Sequence, residues 1–323
     1  MEKVFAGRCF CAFSVCLSVI ILLAFRHMYV EHQRLTDVFR ACETCLRSRS
    51  PNTPRVGLTS ASSRAVIRTN EESQFAMYGQ GNLTYDNEQL LSYIRSLMSR
   101  QGPGGRHLSS KPSSNMDFSG MGISTFVDKL LKERRNGFFV ECGAFTGELY
   151  STSLFFEMQR NWTGLLIEPH PDYHRSILGK NRNALVLRAC ISHSAQPMFT
   201  KFRLHGWGSG VSALNINVKP DNRKVPETNV QCFSLNSVTA AIGVRHIDLM
   251  VLDVEGSEVP ILKTIDWTRL SVDVFIIEYK HDQNKLAEIR QVFNKTGLVY
   301  QVVGTMPVGT TTATAHDVIF MRV

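Results

Sequence analysis

From about Met121 to the last residue, short apolar runs alternate with segments of helical spacing. "GFFVECG", "TGLLIEPHP", "NALVLRACIS", "HIDLMVLDVEG" and "VDVFIIEYK" read as strands, each a compact run of aliphatic and aromatic residues with polar or glycine punctuation. Around them, "GISTFVDKLLKERRN", "TGELYSTSLFFEMQRN" opened by Thr146, "PDYHRSILGKNR" with Pro171 near its start, "SLNSVTAAIG", "SEVPILKTI" and "QNKLAEIRQVFNKTG" read as helices. The last two strands, "LVYQVVGT" and "AHDVIFMRV", have no helix between them. Leu249–Leu252 and Phe275–Ile277 are unbroken apolar runs, which suits central strands buried on both faces. From His193 to about Thr228 the pattern is irregular, with short antiparallel strands expected around Met198–Arg203. The alternation predicts a doubly wound α/β sheet of seven mostly parallel strands, the last one antiparallel. Ligands of such sheets bind at the carboxyl ends of the strands, so chemistry is expected just after each one.

Upstream, the pattern supplies no core. Residues 46–120 are rich in Ser, Arg, Pro, Asn and Gly, and "RSRSPNTPR" and "RQGPGGRHLSSKPSSN" read as disordered linker. Between them, "TYDNEQLLSYIRSLMSR" sets Leu90, Leu91, Ile94 and Leu97 at helical spacing; this helix either packs on the domain or stands free of it. Cys9–Phe25 is a run of 17 residues without a charge, the short end of the roughly 17–25 that span a bilayer. It closes on "AFRHMYV", a poor cleavage site, and reads as an uncleaved transmembrane signal anchor. The flanking positive charges are nearly balanced, and so short a tail favours a cytosolic amino terminus. The layout is then a tail (1–8), an anchor (9–25), a polar stem (26–115) and a domain (116–323).

Composition narrows the partners. Hydrophobic residues make up 43% and charged residues 20%, as in a mostly globular protein. The net charge of +8 is uneven: 14 Lys/Arg against 8 Asp/Glu in residues 1–115 (+6), and 22 against 20 in residues 116–323 (+2). The basic excess belongs to the stem and is not interleaved with aromatics, so nucleic acid is not an expected partner. Cys9, Cys11 and Cys16 lie in or beside the anchor. Cys42 and Cys45 form a lone C-x-x-C without the second pair a zinc site needs. Cys142, Cys190 and Cys232 stand far apart, and the chain is no disulfide scaffold.

Behind the first strand the chain reads E-x-G-x-x-x-G, with Glu141, Gly143, Ala144 and Gly147. This is one glycine short of the dinucleotide pattern and has an acid ahead of it, which suits a ligand without phosphates. S-adenosylmethionine is such a ligand, with an amino group that an acid can hold. Glu168 follows the second strand, 21 residues beyond Gly147, where an acid can accept ribose hydroxyls. "LDVEGSE" follows the fourth strand; Asp253 and Glu255 are the functional candidates, and Glu258 is expected to face outward on the next helix. Glu278, Lys280 and His281 follow the fifth strand. Asp253, Glu255 and His281 are the catalytic candidates and Glu278 a further base, with His170 and His205 weaker. Glu141, Gly143, Ala144, Gly147, Glu168 and Asp253 are the cofactor-binding candidates. Three carboxylates at neighbouring strand ends can also hold a divalent ion, although no ligand spacing compels a metal site.

"FFVECGAFTGE", "LLIEPHP", "IDLMVLDVEGSEVPILKTID" and "FIIEY" together resemble the motifs of FkbM-type methyltransferases over roughly residues 120–320. The resemblance implies a Rossmann-like class I methyltransferase fold, S-adenosylmethionine as cofactor and O-methylation of an acceptor. The anchor, the stem and "VQCFSLNSV" are closer still to the animal Star-like branch. That likeness implies a single-pass type II protein of the endoplasmic reticulum and Golgi, with the endosome or plasma membrane as further stations, and a transmembrane cargo such as EGF-like ligand precursors. Two positions depart from the family pattern: Asn236 stands in "LNS" where an Asp is usual, and Glu141 where Asp is frequent.

Two functions follow. One is a membrane-anchored methyltransferase, where positioning and removal of the acceptor's proton carry the reaction. The other is a trafficking factor that keeps the fold without turnover. An NAD-dependent reductase is disfavoured by the missing glycine and the terminal strand pair. The sequons at Asn82, Asn161 and Asn294 are no more than chance supplies, but the last two fall in helix-to-strand turns, away from the expected cofactor edge.

Overall fold

In the computed structural model the described residues are 83–100, 105–109, 117–119, 122–204, 226–306, 312 and 316–323. The expected anchor, the stem up to residue 82, the five upstream cysteines, Asn82 and His205 lie outside them. Among the described residues no helix is long and apolar enough to cross a membrane.

The stem helix belongs to the domain. Helix α1 (Glu88–Leu97) is capped by the Asn87 side chain, which accepts from the Leu90 amide at 3.1 Å, and it buries Leu90, Leu91, Tyr93 and Ile94. It runs directly into strand β1 (Met98–Arg100). Then come α2 (Ile123–Leu130), β2 (Phe138–Cys142), α3 (Ser153–Gln159), β3 (Thr163–Ile167), α4 (Pro171–Lys180), β4 (Leu185–Leu187), β5 (Cys190–Ile191), β6 (Met198–Arg203) and β7 (Glu227–Phe233). The chain continues through α5 (Leu235–Ala241), β8 (His246–Leu252), α6 (Glu258–Thr264), β9 (Ser271–Glu278), α7 (Gln283–Asn294), β10 (Tyr300–Met306) and β11 (Asp317–Arg322).

The main sheet has eight strands in the order β1-β4-β3-β2-β8-β9-β11-β10. β4, β3, β2, β8 and β9 are parallel, and β11 enters antiparallel between β9 and β10. This is the Rossmann-like order with the last strand reversed, as the terminal strand pair implied. The eighth strand is β1, which adds antiparallel to β4 at the edge. The core on the sheet includes Phe139, Phe156, Trp162, Leu166, Leu249, Val274 and Ile319, all buried.

Three sequence expectations change. The third strand breaks after Leu187, and Cys190–Ile191 joins a separate three-stranded sheet in the order β5-β7-β6. Cys190 and Cys232 face each other in that sheet and form a disulfide, although 42 residues separate them. The helix expected from Thr146 begins only at Ser153, because the preceding segment is held by side chains described below.

At the amino-terminal ends of β8 and β9 a charge network ties the strands together. Asp248 accepts from the Phe138 amide at 2.8 Å and pairs with Arg134, which also reaches Asp273 at 2.7 Å. Arg322 holds the other Asp273 oxygen at 2.8 Å, and His246 Nε2 lies 3.4 Å from Asp273. Hydrogen bonds to Asp248 and Asp273 raise His246 to about 9, so it is a cation at neutral pH. A histidine raised above its ordinary value of about 6.5 stabilises the fold fully below that value and loses the contribution as pH rises through 9. His246→Gln should therefore lower the melting temperature at pH 6 and have little effect at pH 10. A difference that stays constant across that range would contradict the network.

Candidate functional site

The loop after β2 is pinned from below. Glu141 is 3% exposed, and its carboxylate accepts from Ser151 Oγ at 2.8 Å, the Thr152 amide at 3.0 Å and Ser153 Oγ. Arg182, fully buried, bonds the Gly147 carbonyl, Ser151 and Ser153, and pairs with Glu157 at 2.6 Å. Burial alone would raise Glu157, but Arg182, the Asn183 amide and Arg106 outweigh it and hold the carboxyl below its ordinary value. These bonds hold residues 147–152 out of a helix. They also take Glu141 away from the ligand-holding role expected of it.

The two glycines serve backbone geometry. Gly143 has φ +82°, and a Cβ there would lie 1.9 Å from the Asp253 carbonyl oxygen. Gly147 has φ +73°, and its Cβ would press on Ile177 at 2.9 Å. Both were expected to let a ligand approach; in the structure they let β2 approach β8 and the loop approach α4. Ala144 is buried, and the amides of Gly143 and Ala144 both donate to the Ile167 carbonyl. The loop thus lies directly on the end of β3.

Glu168 sits there. It is 5% exposed and accepts from the Phe145 and His170 amides, each at 2.8 Å. Burial raises it to about 8 against those two hydrogen bonds. His170 stacks on Tyr173 at 4.0 Å, and Phe145, held at φ +49°, meets Tyr173 edge-on at 4.4 Å. His170 itself caps α4 by accepting from the Asp172 amide.

Acids gather at the ends of β8 and β9. Asp253 follows β8 beside Gly143, and its Oδ1 is buried without a hydrogen bond. Burial and the neighbouring Glu278, Glu255, Asp317 and Glu258 raise it well above the usual carboxylate range. Glu278, at the end of β9, is 8% exposed and raised to about 7, by burial first and then by Glu255. Its Oε2 makes no hydrogen bond, although Lys280 Nζ stands 3.3 Å away. Glu258, expected to face outward, is fully buried: it turns back to accept from the Val254 and Gly256 amides and pairs with Lys285 at 2.6 Å. Glu255, with φ +59°, pairs with Lys280. His281 is exposed and packs against the His316 ring. Asp317 was not among the expected residues. It lies opposite Glu278 in the β11–β9 register, and only that pairing reveals it. Asn236 spans Thr264 and Asp266 with two hydrogen bonds, so the departure at "LNS" is a helix-to-turn clamp.

A family model described as "Methyltransferase FkbM domain" matches residues 141–301, which contain every candidate just placed except Asp317. Over those residues, just under half of its length, the chain is similar to the FkbM methyltransferase domain. Solved structures similar in fold include methyltransferase FkbM from Methylobacillus flagellatus, at 11% identity, covering 80% of this chain and 60% of that one, with a TM-score of 0.39. A precorrin-6y C5,15-methyltransferase from Geobacter metallireducens is similar at 11% identity over 62% of this chain and 87% of that one, with a TM-score of 0.35. TYW2 of M. jannaschii in complex with AdoMet is similar at 12% identity over 67% and 80%, with a TM-score of 0.33. A comparison with curated proteins found no match.

The cofactor of the FkbM domain is S-adenosylmethionine. The residues present suit it. Each Glu168 oxygen has one bond here and keeps a lone pair for a ribose hydroxyl. The acid-rich edge at the ends of β8 and β9, with the orphaned Asp253 Oδ1 on it, suits a cationic sulfonium.

Arg182 is a positioning residue for this site. Arg182→Met leaves the Glu157 carboxylate buried with Arg106 as its remaining cation. The loss should be about 3–5 kcal/mol of stability, read by urea unfolding. A loss below 1 kcal/mol, on the order of a surface ion pair, would contradict the role of the network.

Proposed function

We propose that the FkbM domain transfers a methyl group from S-adenosylmethionine to an oxygen of an acceptor that docks at the ends of β8 and β9. The observation that carries this reading is the Asp253 carboxyl, whose Oδ1 is buried and unbonded, adjacent to the glycine loop. S-adenosylmethionine supplies an activated methyl group. The chain's own task is to orient the acceptor and take its proton. Asp253 has the proton affinity for that step, because burial and four neighbouring acids raise it. Glu278 is the second acceptor, and Glu168 anchors the ribose. Glu255, held by Lys280, shapes the edge and takes no proton from the acceptor. Calorimetric titration of the full chain with S-adenosylmethionine should give one site, abolished by Glu168→Ala. A folded chain that gives no heat would overturn the reading.

The same domain is proposed to face an oxidising lumen behind a membrane anchor at Cys9–Phe25. The Cys190–Cys232 disulfide supports this, since such bonds persist in secretory compartments and are rare in the cytosol. Asn161 and Asn294 are both exposed, and Asn161 lies in the turn before β3, at the amino-terminal edge of the sheet. In cells, glycosidase treatment should increase mobility, and Asn294→Gln should remove part of the shift. Unchanged mobility together with free Cys190 and Cys232 thiols would contradict the lumenal placement.

One observation favours the Star-like alternative, a cargo-trafficking factor without turnover. The amides of Gly143, Ala144, Phe145 and Gly147 are all spent on acceptors within the protein. Binding of S-adenosylmethionine without methylation of any acceptor would move the balance to that reading.

A further inference from the structure

A cavity of about 250 Å³ opens where α1, the small β5-β7-β6 sheet and the start of α4 meet. Tyr93, Ser96 and Leu97 of α1 form one wall, and Phe199, Asn229, Val230 and Gln231 of the small sheet form another. Pro169, His174 and Arg188 form the third. The volume is just below the roughly 300–1,000 Å³ of drug-sized ligand sites, so it suits a smaller molecule.

This cavity is apart from the site described above. Glu168 accepts from the Phe145 and His170 amides, whereas the next residue, Pro169, lines the cavity. Arg188 follows β4, which stands three strand spacings from β8 in the sheet, roughly 14 Å. The walls are fixed by their own bonds. Gln231 Nε2 donates to the Met198 carbonyl at 2.9 Å and the Cys232 carbonyl at 3.2 Å. The Cys190–Cys232 disulfide ties β7 to β5, and Tyr93 of α1 meets Phe233 edge-on at 5.9 Å.

Those bonds, and the Ser96 hydroxyl given to the Tyr93 carbonyl, commit several of the polar lining groups. Three others remain open. Arg188 is exposed and has no ion pair or hydrogen bond among the described residues. The Asn229 side-chain amide, also exposed, has no partner among them either. His174 Nε2 is buried without a hydrogen bond. Burial first, and then Arg188 and Arg175, lower His174 to about 4, so its ring is neutral at neutral pH. Arg175 is paired with Asp172 at 2.8 Å, which leaves Arg188 as the unmatched charge. Among the described residues no carboxylate lines the cavity.

One unmatched guanidinium calls for one negative charge. Its planar fork takes both oxygens of a carboxylate, whereas a phosphate ester brings about 1.5 to 2 charges. Leu97, Phe199 and Val230 offer apolar surface beside it. We infer that this cavity binds a small organic carboxylate, its charged end on Arg188 and Asn229 and its apolar body against Leu97, Phe199 and Val230. His174 Nε2 supplies a third polar contact. The ligand is neither the cofactor nor the methyl acceptor, and the site does not rest on the methyl-transfer reading.

The test is fluorine nuclear magnetic resonance of para-fluorophenylacetate with the full chain, following shift and line width. The acid should bind at least about tenfold tighter than para-fluorophenylethanol, its neutral analogue. It should also bind tighter than para-fluorobenzyl phosphate. Arg188→Gln should weaken the acid by about tenfold or more. Asn229→Asp, which sets a like charge against the ligand, should weaken it by a similar factor. Arg188→Glu should reject the acid and take up para-fluorophenethylammonium, a gain that a damaged fold cannot produce. No binding of the acid, equal binding of acid and alcohol, a tighter phosphate ester, or affinity unchanged in Arg188→Gln overturns the site. Displacement of the acid by S-adenosylmethionine also overturns it, because the cavity then belongs to the cofactor.

Discussion

A single buried guanidinium holds the functional end of this domain in shape. Arg182 reaches from the turn before β4 to the Gly147 carbonyl, to Ser151 and Ser153, and to Glu157. Glu141 completes the network from β2 through the same two serines. Charges this deeply buried persist only when every member is bonded. The result is a rigid, non-helical segment between β2 and α3. It fixes the path of the glycine loop, which in turn lies on the end of β3 and leaves Glu168 enclosed by Phe145, His170 and Tyr173.

The other half of the site is built on the opposite principle. At the ends of β8 and β9 the acids outnumber the lysines, and two carboxyl oxygens are unbonded. Strain accompanies this frustration: Glu255, Lys280 and His281 all hold positive φ. Backbone strain gathers at functional sites, because a fold tolerates it only where the surroundings impose it. A satisfied network thus holds the glycine loop, and an unsatisfied one lies at the ends of β8 and β9. The charge network at the amino-terminal ends of the same strands is matched, with Arg134, Arg322 and His246 around Asp248 and Asp273.

Much of the parallel sheet was legible because fully buried strands announce themselves as short apolar runs, as in Leu249–Leu252 and Phe275–Ile277. Strands of weaker pattern were not. Met98–Arg100 continues straight out of a helix, and its pairing with β4 depends on a partner about 90 residues away. β7 is partly exposed along Glu227–Gln231, so it lacks the buried run that marks the others. Of the site, Glu168 and Asp253 were legible from their distance to the glycine loop and from the strand end. The inward turn of Glu258 was not, because its helix position reads as exposed until Lys285 and the 254–256 turn are in place.

The sequence by itself determined the alternation of the central parallel strands with their helices, the reversed final strand and the acids that follow β3, β8 and β9. These are local matters of periodicity and punctuation. Only the tertiary structure decided what those acids do. Glu141 was drawn into the serine loop, Asp253 was left unbonded beside Gly143, Asp317 was set opposite Glu278, and Cys190 was joined to Cys232. Each of these depends on a partner distant in the chain, and burial and pairing of charge are properties of the packed domain.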